Sequence, residues 1–160
     1  MNNELTPFTA CFTGHRTIPQ GKEAFIFNAV RRIAEDLIRN NKVRYFGTGG
    51  AIGFDTIAAQ AILSLKDKYD FVKLIVVCPC KNQDAKWSPA QKKEYKEILE
   101  KADKVVFLSE TYYTGCMQAR NRHLVDNSTY CISYLTKETG GTAYTVRYAK
   151  EKGLTILSAV

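Results

Sequence analysis

Hydrophobic positions along this chain follow two alternating rhythms. Short apolar or β-branched runs of strand length occupy 8–13, 43–46, 71–78, 105–108, 130–135 and 154–157. Between them apolar residues recur every three or four positions, the period of a helix that buries one face. Ile26, Val30, Ile33, Ala34, Leu37 and Ile38 mark such a helix over 22–40, and Ile57, Ala58, Ala61, Ile62 and Leu65 mark a second over 54–65. Pro89 suits the first turn of a third, which runs to about residue 101. Two more are predicted over 115–127 and from Thr142 to Glu151. Strands that alternate with helices, joined by right-handed crossovers, give an α/β fold: a three-layer, doubly wound, mainly parallel sheet of about six strands. The almost continuous apolar run 71–78 fits a strand covered on both faces.

In an open sheet of this kind ligands bind beyond the carboxyl ends of the strands. Those ends carry Thr13-Gly14-His15-Arg16, the glycine turn 48–55, the loop 79–83, Ser109-Glu110 and Gly140-Gly141-Thr142. In the glycine turn, Gly49, Gly50 and Gly53 let the backbone turn tightly at the start of a helix. Unpaired amides and the positive dipole end there suit a phosphate. Gly140-Gly141-Thr142 is a second helix start of the same kind. The spacing is not the dinucleotide fingerprint, because Ile52 stands where G-x-G-x-x-G, counted from Gly47, requires its last glycine.

Several side chains on this edge have a binding reading beside a plainer one. His15 and Arg16 are placed to contact a phosphate or ribose, Arg16 with a bidentate fork, and equally suit a turn cap and a surface arginine. Asp55 can accept from a ribose hydroxyl or complement the helix dipole. Arg120 shares a helix face with Cys116, Met117 and Leu124, whereas Arg122 points some 200° away by helical periodicity, so Arg120, with Asn121 next, is the expected pocket arginine. Arg122 has Asp126 four residues on as its expected structural partner. Trp87 is a candidate for base stacking or a loop anchor.

Composition changes this picture little. The 160 residues match one domain, 45% hydrophobic and 24% charged. No apolar run reaches the ~20 residues of a membrane span, and the first seven residues lack a signal-peptide layout, so the expected location is the cytoplasm. The five cysteines, an odd number without an export signal, argue against disulfides. Cys78-Pro79-Cys80 alone is a poor metal motif, and no metal is expected. A formal net charge of +7 keeps nucleic acid open as a partner beside phosphate-bearing small molecules.

Thr13-Gly14-His15-Arg16, the run from Gly49 to Asp55, Gly115-Cys116-Met117 with Arg120-Asn121-Arg122 and Val125-Asp126-Asn127-Ser128, and Gly140-Gly141-Thr142 together resemble the bacterial YpsA-like proteins of the SLOG superfamily. The motifs run in order over essentially the whole chain. The resemblance implies a Rossmann-like fold that binds nucleotides or derivatives such as ADP-ribose or NAD. It implies kinship with the LOG phosphoribohydrolases and the DNA-processing protein DprA, a link to cell division or to phage and stress responses, and a homodimer. LOG enzymes are similar in having P-G-G-x-G-T-x-x-E. With Gly141-Thr142 laid on its G-T, the glutamate falls at Thr145, whose hydroxyl cannot do a carboxylate's work on a glycosidic bond. The expectation is therefore a nucleotide-binding or sensing protein. The alternatives are an N-glycosidic hydrolase using Asp55 or Glu110 and a single-stranded DNA binder.

Overall fold

The computed structural model describes residues 4–160. Strands β1 (Thr9–Gly14), β2 (Tyr45–Thr48), β3 (Lys73–Cys78), β4 (Lys104–Phe107), β5 (Tyr130–Tyr134) and β6 (Thr155–Ser158) alternate with helices α1 (Glu23–Asn41), α2 (Phe54–Leu65), α3 (Pro89–Lys101), α4 (Cys116–Asp126) and α5 (Gly141–Glu151). The strands form one sheet in the order β4-β3-β2-β1-β5-β6, every neighbouring pair parallel. This is the α/β, Rossmann-like architecture that the pattern predicts. The expected strand 71–78 begins two residues later, because Phe71 turns outward and lies under the Arg44 guanidinium, 5.0 Å from its ring centre.

Local chemistry sets the helix ends. α1 stops where Lys42 takes a left-handed φ of 60°, which lets the Val43 amide donate back to the Leu37 carbonyl at 3.2 Å. α3 starts on a complete capping box: Ser88 Oγ accepts from the Gln91 amide at 3.2 Å and Gln91 Oε1 accepts from the Ser88 amide at 3.0 Å. α2, α4 and α5 start differently, on Gly53, Gly115 and Gly140, with no side-chain cap.

The sheet separates two apolar layers. On one face, Ile26, Val30, Phe46, Phe54, Ile62, Leu74 and Ile132 belong to a large core under α1, α2 and α3. On the other, Cys11, Val77, Leu124, Val125, Cys131 and Ala149 make a smaller one under α4 and α5. Each of the fully buried aromatic and branched side chains contributes about 1.5–3 kcal/mol relative to exposure. β1 is buried almost throughout, as its central place requires. Successive strands step outward from β1 to β4; the chain then returns through α4 to β5 on the other side of β1. The direction of winding thus reverses between β1 and β5, which stay paired to their last residues, and the connections that follow them lead apart and leave a crevice.

Candidate functional site

The crevice is a cleft of about 230 Å³, walled by Thr13, Gly14, His15 and Arg16 after β1, Ala51 and Asp55 at the start of α2, Met117, Arg120 and Asn121 on α4, and Gly141 and Thr142 at the start of α5. Four separate segments of sequence thus converge on one point. The β1 turn is fixed on α2: the Phe54 amide donates to the His15 carbonyl at 3.0 Å, and Gly53, at φ 79°, comes so close to the Arg16 carbonyl that a Cβ would collide with it.

Asp55 and Arg120 are the charged groups at the floor, 8% and 4% exposed. Asp55 Oδ2 accepts from the Ala51 amide at 3.2 Å. Burial pushes the Asp55 carboxyl above the usual carboxylate range; the Arg120 charge and backbone amides oppose that shift. Arg120 donates from Nη1 to the Gly49 carbonyl and from Nε to Asn121 Oδ1 at 2.9 Å, while Nη2 faces the Met117 sulfur at 3.8 Å. Burial lowers the Arg120 pKa and Asp55 works against it, so each charge makes the other tolerable. A Cβ at Gly49 would lie 2.5 Å from Arg120 Nη1, so any larger residue there requires the guanidinium to shift.

The rim is polar and more exposed. Arg16 is exposed and points Nη2 at the Met117 sulfur, 3.4 Å away. His15 stands edge-on to the Tyr134 ring at 5.9 Å, and its Nε2 accepts from the Thr136 amide at 2.9 Å, bridging the β1 and β5 turns across the crevice. Burial and the nearby Lys137 charge lower its pKa, and an Nε2 that accepts from a backbone amide leaves the ring proton to Nδ1. At the α5 start, Thr145 Oγ1 donates to the Gly141 carbonyl at 2.8 Å, and no side chain caps the first-turn amides.

Of the expected residues, Thr13, Gly14, His15, Arg16, Asp55, Arg120, Asn121, Gly141 and Thr142 come together in the cleft lining. Gly49, Gly50, Gly53 and Gly140 do not line it; they shape the turns behind it. Trp87 lies elsewhere, half-buried and edge-on to Tyr95 at 5.1 Å, as a loop anchor. Glu110 is also outside, largely exposed and paired with Lys81 at 3.0 Å. Arg122 does not pair with Asp126: its Nη1 donates to Tyr144 Oη at 3.4 Å, and the Asp126 carboxylate accepts from Tyr148 at 2.6 Å. Asn121 orients Arg120, a role that sequence reasoning missed. So was Met117, whose sulfur separates the two arginines; its position three residues before Arg120 on the same helix face is the signal that could have found it. Cys78 and Cys80 are buried thiols, Cys78 in contact with Tyr95 Oη at 3.1 Å, and no metal-binding cluster occurs among the described residues. No helix among them is long and apolar enough to cross a membrane.

Fold and crevice together define a doubly wound α/β protein with a polar, charge-compensated cleft at the reversal of strand order. The YpsA family model (YspA SLOG family) matches residues 14–155, and the chain belongs to that family. It is 33% identical over 132 residues to the SPbeta prophage-derived protein YoqJ of Bacillus subtilis (strain 168), an alignment covering 74% of this chain and 77% of that one. Among solved structures it is similar to DNA processing protein A of Streptococcus pneumoniae, with a TM-score of 0.69 and 21% identity over 96% of this chain and 50% of that one. It is likewise similar to the Helicobacter pylori protein of that name, described for its single-stranded DNA binding mode, with a TM-score of 0.67 and 20% identity over 98% of this chain and 68% of that one. At these identities the likeness is one of fold.

Proposed function

We propose that the cleft binds a ribose-phosphate ligand, a nucleotide or a nucleotide derivative such as ADP-ribose, and that the protein senses it without breaking a bond. The observation that carries this reading is the burial of both Asp55 and Arg120 in one cleft beside the uncapped first turn of α5, in the crevice between β1 and β5. A phosphate is matched by the α5 amides and by Arg16, and a ribose hydroxyl by the Asp55 carboxylate. The volume of about 230 Å³ is below the roughly 300–1,000 Å³ of pockets that enclose a whole small molecule. The sugar and phosphate therefore sit inside and the base extends over the rim.

The acids support a reading without turnover. Glycoside hydrolysis commonly uses two carboxyl groups flanking the bond. Asp55 is the one acidic residue in the lining, and Thr145, where the related enzymes have glutamate, commits its hydroxyl to the Gly141 carbonyl.

The test is calorimetric titration with AMP, ADP-ribose, NAD, ribose 5-phosphate and a short single-stranded oligonucleotide, with chromatography for released base. Binding of a phosphorylated ribosyl compound, abolished by Gly141→Asp and without base release, supports the proposal. Base release that is lost in Asp55→Ala would make the protein a hydrolase. Binding of the oligonucleotide alone, steeply weakened by salt, would make it a single-strand binder.

A further inference from the structure

The two faces of the sheet are unequally covered. α1, α2 and α3 span one face, whereas on the other α5 lies over β1, β5 and β6, and α4 over β1 and part of β3. Among the described residues, the part of that second face formed by the amino-terminal ends of β2, β3 and β4 carries no α-helix; Leu5 and Thr9, which flank a single 3-10 turn, border it. A groove of about 520 Å³ runs there along the flank of α4 and shares no lining residue with the ligand cleft. Its floor is Tyr45, Ile75, Val77 and Val106, and Leu124 forms the α4 wall. Ile75 and Val106 are only half-buried, which is unusual for the face of a doubly wound sheet.

The charges at the groove point to its occupant. Lys73 and Lys104 stand on the strand side. The single acid in the lining, Asp103, is already engaged by Lys66 at 2.5 Å, by Lys73 at 4.0 Å and by the Leu74 amide at 2.8 Å. The groove is therefore apolar with a basic margin, in a chain of formal charge +7, and a second copy would bring like charge to it. The empty lane has α4 as its neighbour, in the way α4 and α5 neighbour each other on the covered half. A helix is the element that completes such a layer.

We infer that this groove docks an acidic amphipathic helix of a partner protein, which lies alongside α4, sets its apolar stripe on Ile75, Val77 and Val106, and places carboxylates over Lys73 and Lys104. Recognition is of the helix-in-groove kind, with anchors at i, i+3, i+4 and i+7. The charged margin makes the affinity fall with salt.

The experiment is a displayed library of helical peptides with leucine fixed at i, i+3, i+4 and i+7 and all other positions random, selected on the intact protein. The expected result is enrichment of peptides that carry Asp or Glu beside the leucines. Their affinity should drop at least tenfold for Lys104→Glu, an exposed surface change, and also for Val106→Glu, with melting temperatures of both variants measured as a folding control. Two results overturn the inference. One is enrichment of no peptide sensitive to these two substitutions. The other is sedimentation showing that the protein is a dimer that Val106→Glu dissociates, which would make a second copy the occupant.

Discussion

The Arg120 guanidinium on α4 is hydrogen-bonded to the carbonyl oxygen of Gly49, 71 residues earlier at the end of β2. That contact ties the helix of one layer to the strand end beneath it and holds a permanent cation at the floor of the cleft. It depends on the missing side chain at position 49, where a Cβ would lie 2.5 Å from Nη1. Gly49→Ala is expected to displace the arginine and cost about 1–3 kcal/mol, the usual penalty for overpacking. Urea denaturation measures the cost, and ligand titration should show weaker binding in the same variant.

Arg120→Ala leaves the buried Gly49 carbonyl without its donor and Asp55 without the cation that offsets its burial, and is expected to cost about 1–3 kcal/mol, the penalty for an unsatisfied buried acceptor. Asp55 already has a raised pKa, first through burial. Its folded form therefore holds a proton more tightly than the unfolded chain, and this carboxyl subtracts stability as pH rises from the unfolded value through the folded one. Removing Arg120 raises the folded value further and steepens that loss. The double variant Arg120→Ala with Asp55→Asn is expected to recover part of the deficit, and a double-mutant cycle from chemical denaturation at two pH values tests it.

Position 141 separates fold from binding by sign. Gly141 opens α5, is exposed, and a Cβ built on it meets nothing within 4 Å. Gly141→Asp places a carboxylate at a helix amino terminus, which favours the helix by about 0.3–1 kcal/mol. The same charge repels a phosphate. The expected outcome is an unchanged or raised melting temperature of the ligand-free protein together with loss of any nucleotide-induced rise, both read in one thermal-shift series.

His15 gives the cleft a pH signature. Its pKa lies below 6.5, from burial first and Lys137 second, because the neutral ring accepts the Thr136 amide. The folded state binds this proton less readily than the unfolded chain. Its contribution is therefore complete above pH 6.5 and is lost as pH falls from there through the folded pKa. Melting temperatures between pH 5 and 8 should show this decline in the wild type and a flatter profile in His15→Gln. An NMR titration of the ring should give a midpoint below 6.5.

The architecture was legible because burial on one or both faces imposes its period on the sequence: Ile26, Val30, Leu37 and Ile38 could only be one side of a helix, and the run ending at Cys78 only an inner strand. Much of the cleft lining was legible as well, since strand ends in a parallel sheet share an edge, and Thr13, Gly141 and Thr142 fall there by topology alone. What escaped depends on pairs far apart in sequence. Local spacing offered Asp126 to Arg122, yet the neighbouring helix supplied Tyr144. Trp87 was open to stacking or to anchoring its loop, and its edge contact with Tyr95 decides for the anchor. Glu110 sits on the correct edge but at the β4 end of the sheet, where it meets Lys81.

The contrast between helix starts has a consequence for the life of the protein. α3 closes its own amino terminus with Ser88 and Gln91, while α2, α4 and α5, which meet at the cleft, begin on bare glycines. An anion seated against α5 supplies from outside the hydrogen bonds that a serine would have supplied from within, so the ligand becomes a removable part of the fold. At 100 times its dissociation constant it would add about 2.7 kcal/mol to the folded state. The concentration of such an anion would then set how long each copy of the chain survives unfolding and proteolysis.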